Sequence, residues 1–286
     1  IYGSVSGKKV DEDGNALGGA MIGLFRTDDG EFTKENALMT TTSAKDGSFS
    51  FENIPCGTWY VREIEQPTGF VLDDTIYPVT IGTDGQVVEI EIVNEYGRGN
   101  IHLTKVDSEY PDNKLTGAIF EVYKDSNNNG KLDDSDELLG TLTEKEAGEY
   151  GMNDLFYGRY FVKETKAPDG FVLDTDVYEV VIDTDGKTYD VENKAGVGFI
   201  NEVMRGNLKI VKTSSDGKVK GFAFRITGAN GYDIILETDE NGEIFLDGLR
   251  IGDYTISEVS NSASSMYILP DDKILKYNFT EIWAIM

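Results

Sequence analysis

Lysine, glutamate and asparagine recur in this sequence at positions where alternating strands should offer only apolar side chains to a core. Together the three can make an amide bond. Side chains along a β-strand alternate between two faces. Ile101, Leu103 and Lys105 therefore share a face, as do Leu208, Ile210 and Lys212. The sets Trp59, Val61, Glu63; Tyr160, Val162, Glu164; and Tyr254, Ile256, Glu258 place a carboxyl group at the same parity. Ile90, Ile92, Asn94 and Val197, Phe199, Asn201 do the same for a carboxamide. Burying an ammonium and a carboxylate is costly unless they are paired, neutralised or consumed. One outcome is a buried Lys–Glu ion pair with the asparagine hydrogen-bonded beside it. The other is reaction: burial lowers the lysine pKa and raises that of the glutamate, leaving a nucleophilic amine beside a neutral acid. The acid then polarises the carboxamide and shuttles protons while ammonia leaves.

These residues sit in a repeating pattern. "VNEYGRGNIHLTKVD" near residue 100 aligns with "INEVMRGNLKIVKTS" near residue 207, and "GSVSGKKVD" at 3–11 fits the second half of both. A second block recurs as "GTWYVREIEQPTGFVLD", "GRYFVKETKAPDGFVLD" and, more weakly, "GDYTISEVSNSASSMYILPD". Turn dipeptides followed by alternation, as in "KDGSFSF" and "NGEIFL", mark hairpins. No helical periodicity is sustained. The reading is all-β: three tandem antiparallel β-sandwiches over 1–96, 97–204 and 205–286, each of about seven short strands. Junctions as short as "EYGRGN" and "EVMRGN" predict an elongated rod.

"YFVKETKAPDGF" at 160–171 resembles the E-box of Gram-positive pilins, Y-x-L-x-E-T-x-A-P-x-G-Y, with conservative changes at Val162 and Phe171. The three units resemble tandem collagen-adhesin B-type (Cna B-like, Ig-like or prealbumin-like) domains of sortase-assembled pilins and wall-anchored adhesins. The resemblance covers nearly the whole chain. It implies spontaneous Lys–Asn isopeptide bonds catalysed by the E-box glutamate: Lys9, Glu63 and Asn94 in unit one, Lys105, Glu164 and Asn201 in unit two. Unit one departs in having Gly7 where a bulky residue is expected and Lys8 beside Lys9. Unit three keeps Lys212 and Glu258, but "KYNFTEIWAIM" does not match the asparagine strand, which implies a truncated or divergent end. Asn278 is a weak substitute.

A separate motif, "DSNNNGKLDDSDE", spaces oxygen donors as in EF-hand and dockerin loops: Asp125, Asn127, Asn129, the Lys131 carbonyl, Asp133 and Asp136, with Gly130 at the turn. It predicts a Ca2+ site in unit two. Aspartate replaces the usual final glutamate, and no helices flank the loop; a solvated hairpin tip is the plain alternative.

Composition bounds the function. A net charge of -26, from 52 acidic and 26 basic residues, argues against nucleic acid and anionic membranes as partners. No apolar run approaches the roughly 20 residues of a membrane-spanning helix. A secretion signal or wall anchor, if present, lies outside this sequence. The single cysteine, Cys56, has no internal disulfide partner, and the single histidine, His102, has outward parity. No Ser-His-Asp set, zinc spacing or phosphate loop suggests an enzyme acting on external substrates. The resemblance therefore implies an extracellular pilin or adhesin stalk on a Gram-positive cell wall, joined to other subunits through sortase. The alternative is an adhesin gripping a host protein or glycan, although Trp59 has core parity. No sortase sorting motif is evident.

Overall fold

Val, Ile, Tyr, Phe and Thr in short alternating runs, punctuated by glycine turns, leave the chain little choice but strands. The computed structural model describes residues 1–275 and 281–285, the side chains of 273–275 and 281–285 aside. Unit one comprises β1 (Tyr2–Asp11), β2 (Met21–Phe25), β3 (Met39–Thr42), β4 (Ser48–Pro55), β5 (Gly57–Glu65), β6 (Tyr77–Ile81) and β7 (Val87–Asn94). Unit two comprises β8 (Arg98–Asp107), β9 (Ile119–Lys124), β10 (Glu137–Thr141), β11 (Thr143–Glu146), β12 (Glu149–Phe156), β13 (Gly158–Lys166), β14 (Val177–Ile182), β15 (Thr188–Asp190) and β16 (Phe199–Asn201). Unit three comprises β17 (Arg205–Val211), β18 (Ala223–Gly228), β19 (Asp233–Glu237), β20 (Glu243–Arg250), β21 (Tyr254–Val259), β22 (Lys273–Leu275) and β23 (Glu281–Ile285). A single 3-10 turn, Ala229–Gly231, is the only helical element among the described residues.

Each unit is a two-sheet sandwich. In unit one, β4-β1-β7 faces β3-β2-β5-β6; in unit three, β20-β17-β23 faces β19-β18-β21-β22. Unit two opposes β10-β9-β13-β14 to β11-β12-β8-β15, with β16 also paired to β8. Three separate apolar cores fill the sandwiches. In unit two the core runs as edge-to-face aromatics from Tyr150 through Phe120 and Phe199 to Tyr178.

The sandwiches are antiparallel except where the first strand of each unit meets its closing strand or strands. First and last strands run parallel: β1 with β7, β8 with β15 and β16, and β17 with β23. The last strand reaches β1, β8 or β17 by crossing over from the opposite sheet, and only a crossover can deliver a parallel neighbour. This register sets Asp11 opposite Asn94 and Asp107 opposite Asn201, so each lysine lies two residues before the partner of its asparagine.

Both junctions are clamped by arginine. Arg98 bonds Glu12 through both terminal nitrogens and lies over the Phe156 ring, while the Tyr96 hydroxyl donates to Asp11. Arg250 bonds Asp107 and Glu109, and Arg205 bonds Glu109 as well. Asp11 and Asp107 are the residues opposite the two asparagines.

Candidate cross-linking sites

The glutamate strand belongs to one sheet, and the lysine and asparagine strands belong to the other. Glu63 and Glu164 therefore project across the sandwich onto the adjacent Lys and Asn strands. The aromatic four residues before each glutamate anchors that strand: Trp59 Nε1 donates to Pro55 O at 2.8 Å, Tyr160 Oη to Phe156 O at 2.6 Å and Tyr254 Oη to Arg250 O at 2.9 Å. Trp59 is thus a core residue, buried as its parity predicts.

Units one and two hold the same constellation. Lys9, Glu63 and Asn94 are 0–1% exposed, and Lys105, Glu164 and Asn201 are 0–2% exposed. Asn94 Nδ2 donates to Glu63 Oε2 at 2.7 Å, and Asn201 Nδ2 to Glu164 Oε2 at 2.9 Å. The other carboxyl oxygen faces the amine: Lys9 Nζ lies 4.0 Å from Glu63 Oε1 and Lys105 Nζ lies 3.9 Å from Glu164 Oε1. Each amine donates instead to a carbonyl on the asparagine strand, Ile92 O or Phe199 O, at 3.1 Å. Glu63 Oε1, Glu164 Oε1, Asn94 Oδ1 and Asn201 Oδ1 are buried and make no hydrogen bond. The carboxamide oxygen is therefore not the atom on the glutamate; the nitrogen is.

Burial dominates the electrostatics. It pushes Lys9 down and Lys105 down to about 8, partly offset by the nearby glutamate and by Asp73 or Asp174. Burial likewise pushes Glu63 and Glu164 up, against hydrogen bonds from Asp73 or Asp174 N–H and from the asparagine. Both shifts favour the uncharged forms.

Lys8 is exposed and Lys9 buried, so the neighbouring lysine does not compete. Gly7 is filled from across the sheet: a Cβ there would lie 1.9 Å from the Phe49 ring, which takes the place of the missing bulky residue.

Unit three differs. Lys212 Nζ makes a direct 2.7 Å ion pair with Glu258 Oε2. Although "KYNFTEIWAIM" lacks the asparagine-strand pattern, β23 takes that strand's place, pairing Val211 with Ile285. The residue equivalent to Asp11 and Asp107 is Ser214, and continuing the register puts its partner three positions past Ile285, beyond the residues of this sequence. Asn278 lies outside the described residues.

Sequence reasoning missed a second carboxylate in each complete site. Asp73 N–H donates to Glu63 Oε2 and Asp174 N–H to Glu164 Oε2, both at 2.8 Å. Tyr77 and Tyr178 hydroxyls donate to those aspartates at 2.6 and 2.7 Å. The available signal was spacing: aspartate ten residues after each glutamate and tyrosine four later.

The predicted cation loop joins β9 to β10. Gly130 has φ +73° and donates its N–H to Asp125 Oδ2 at 3.0 Å. Asp136 accepts from Ser126 N–H and Asp133 N–H. The Asn127 and Asn129 amide nitrogens, rather than their oxygens, face Asp133, and Lys131 N–H donates to Asn129 Oδ1. No group of three or more His, Cys, Asp or Glu side chains among the described residues is arranged to hold a metal. Donors there are all oxygen, which suits a hard cation once both amides turn. His102 is held between Asp190 (2.7 Å) and Glu149 (2.9 Å) on the outer face of β8.

The SpaA prealbumin-like fold domain matches this sequence three times, over residues 3–96, 99–195 and 206–280. The chain belongs to that family. Its SpaA-type units are also similar to serine-aspartate repeat-containing protein D of Staphylococcus aureus strain MW2, 26% identical over 87% of this chain and 20% of that protein. The trypsin-resistant surface T6 protein of Streptococcus pyogenes is 26% identical over 57% of this chain and 34% of its own length. Among solved structures, the Bacillus anthracis TIE protein superposes with TM-score 0.71 at 25% identity, over 100% of this chain and 50% of that one. BcpA, the major pilin subunit of Bacillus cereus, aligns over 100% of this chain and 99% of that chain, with TM-score 0.43 and 15% identity. The chain spans about a fifth of the staphylococcal relatives it matches. Tandem SpaA-type β-sandwiches are thus the frame that holds the buried Lys, Glu and Asn.

Proposed function

We propose that this chain is a structural stretch of a Gram-positive surface protein, a pilin or adhesin stalk, whose chemistry is confined to bonding its own strands. The observation that carries this reading is that one buried glutamate touches the leaving nitrogen with one oxygen and faces the attacking amine with the other, twice over. Lys9 or Lys105 Nζ attacks Cγ of Asn94 or Asn201. Glutamate Oε1 takes the amine proton, and Oε2 delivers a proton to Nδ2. The Cγ–Nδ2 bond breaks, the Nζ–Cγ amide forms, and one ammonia leaves, with no change in oxidation state. Neutral lysine and protonated glutamate, which burial favours, are the states this requires.

Kinship with a streptococcal surface protein supports an extracellular, cell-wall setting. Assembly with other surface-protein subunits through sortase follows from the same resemblance. In unit two, Asp125, Asn127, Asn129, the Lys131 carbonyl, Asp133 and Asp136 would hold Ca2+ and stiffen the β9–β10 hairpin. Intact-mass measurement with tryptic mapping tests the central reading: the purified chain should lack two ammonia, with Lys9 joined to Asn94 and Lys105 to Asn201. Full mass with separate peptides would refute it.

A further inference from the structure

The segment after the glutamate strand in units one and two carries a repeated construction that is absent among the described residues of unit three. Asp73 and Asp174 each form an Asx turn, accepting from Thr75 N–H at 3.0 Å and Asp176 N–H at 2.9 Å. Their other oxygen accepts from Tyr77 or Tyr178, and in unit two also from Asn193 Nδ2 at 2.8 Å. The backbone N–H of each aspartate is thereby aimed at the glutamate oxygen that holds the asparagine. Ten residues after Glu258, by contrast, stands Ile268, which is 98% exposed, and Glu258 takes its lysine directly.

We propose that Asp73 and Asp174 are positioning residues of the cross-linking reaction: each fixes its glutamate's Oε2 through backbone N–H, turns Oε1 towards lysine, and sets a carboxylate beside the reacting pair. This rests on the amide-forming reading above. The charged groups facing Glu164 are Lys105 from β8 and Asp174; Tyr178 of β14 and Asn193 face Asp174 in turn. In unit one, Lys9 of β1 and Asp73 face Glu63, and Tyr77 of β6 faces Asp73. Burial of Asp174 is outweighed by the bonds from Tyr178 and Asn193, which hold it below the usual carboxylate range, whereas burial pushes Glu164 up. The phenols of Tyr77 and Tyr178 are held well above their ordinary range, by burial and by the aspartate, and remain donors.

A fixed anion favours protonation of both members of the reacting pair. The reaction needs neutral lysine and protonated glutamate, so its rate falls at low pH as lysine is protonated and at high pH as glutamate is lost. The aspartate sets where both limbs lie. Asp174→Asn keeps the backbone N–H and an oxygen for Tyr178 but removes the charge. Chain made by cell-free synthesis, trapped in denaturant and diluted into buffers from about pH 5 to about pH 9, is followed by peptide mass for ammonia loss in each unit. Both limbs of unit two should move to lower pH by roughly half a unit or more, with unit one unmoved as internal control. Asp73→Asn should move unit one alone, so the test survives if one variant folds poorly. Tyr178→Phe keeps the charge and should slow unit two severalfold with its limbs in place. Unmoved limbs in both aspartate variants, or limbs moved equally by Tyr178→Phe, would overturn the proposal. A wild-type chain that never loses ammonia would instead overturn the reading on which it rests.

Discussion

Replacing Glu164 with glutamine keeps the volume and an acceptor for Asp174 N–H but leaves nothing that can take the amine proton and return one to Asn201 Nδ2. The unit-two bond should not form, and the chain should weigh one ammonia more than wild type. The Lys105–Asn201 bond would close a loop of about 100 residues, which constrains the unfolded chain by about 4.7 kcal/mol on the chain-entropy account. For a domain of this size each kcal/mol moves Tm by about 4–8 °C, so the unit-two transition should fall by about 20 °C or more. Glutamine also disturbs the pocket locally. Measuring Glu164→Gln in a Lys105→Ala background, where no bond forms in either member, isolates that part. Calorimetry and intact mass on the four proteins decide the matter. Ammonia loss persisting in Glu164→Gln, or a drop as small with lysine as without it, would refute the reasoning.

An Asn201→Ala chain keeps Lys105 as a free amine whose pKa burial holds at about 8 against 10.5 unfolded. The unfolded state then binds more protons between those values, so stability should rise with pH through that window, and denaturant titrations at several pH values should show it; the cross-linked chain, having no amine there, should not. Extending the chain so that asparagine falls three positions past Ile285 should give unit three its own ammonia loss, mapped to Lys212, whereas asparagine one position earlier or later should not. Calcium should raise the unit-two melting temperature and a chelator reverse it, with Asp125→Ala insensitive to both; an unchanged wild-type melt in calcium would remove the cation from the loop. Arg250→Ala removes the ion pair to the buried Asp107, which keeps its bonds from Glu109 and Tyr110 N–H, and should destabilise the junction by about 1.5–3 kcal/mol, read as faster proteolysis between units two and three.

Much of this was legible from parity. A lysine, glutamate or asparagine among alternating Val, Ile and Tyr stands out because strand geometry forces it inward, and the structure buries Lys9, Glu63, Asn94, Lys105, Glu164 and Asn201 accordingly. The parallel pairing of first and last strands was not, since it joins segments 74 to 94 residues apart with no local turn to betray it. Asp73 and Asp174 escaped notice because they lie in irregular segments, where period two says nothing about direction. Gly7 looked like a defect until Phe49, on a neighbouring strand, proved to supply the volume. In the β9–β10 loop, spacing picked out the oxygen-bearing side chains but not the orientation of the Asn127 and Asn129 amides, which bonding to Asp133 decides.

The parallel pairing of β1 with β7 has a mechanical meaning. A pull entering at the start of β1 and leaving past the end of β7 drags the two strands lengthwise in opposite senses, so their ladder is sheared as a whole instead of peeling one rung at a time. The same holds for β8 with β16. Everything between Asp11 and Val87, or between Asp107 and Thr188, hangs beside that line of tension as a detour. Such detours are free to lengthen, which is how unit two accommodates an inserted hairpin loop of acidic and amide side chains without altering the strands that carry the strain.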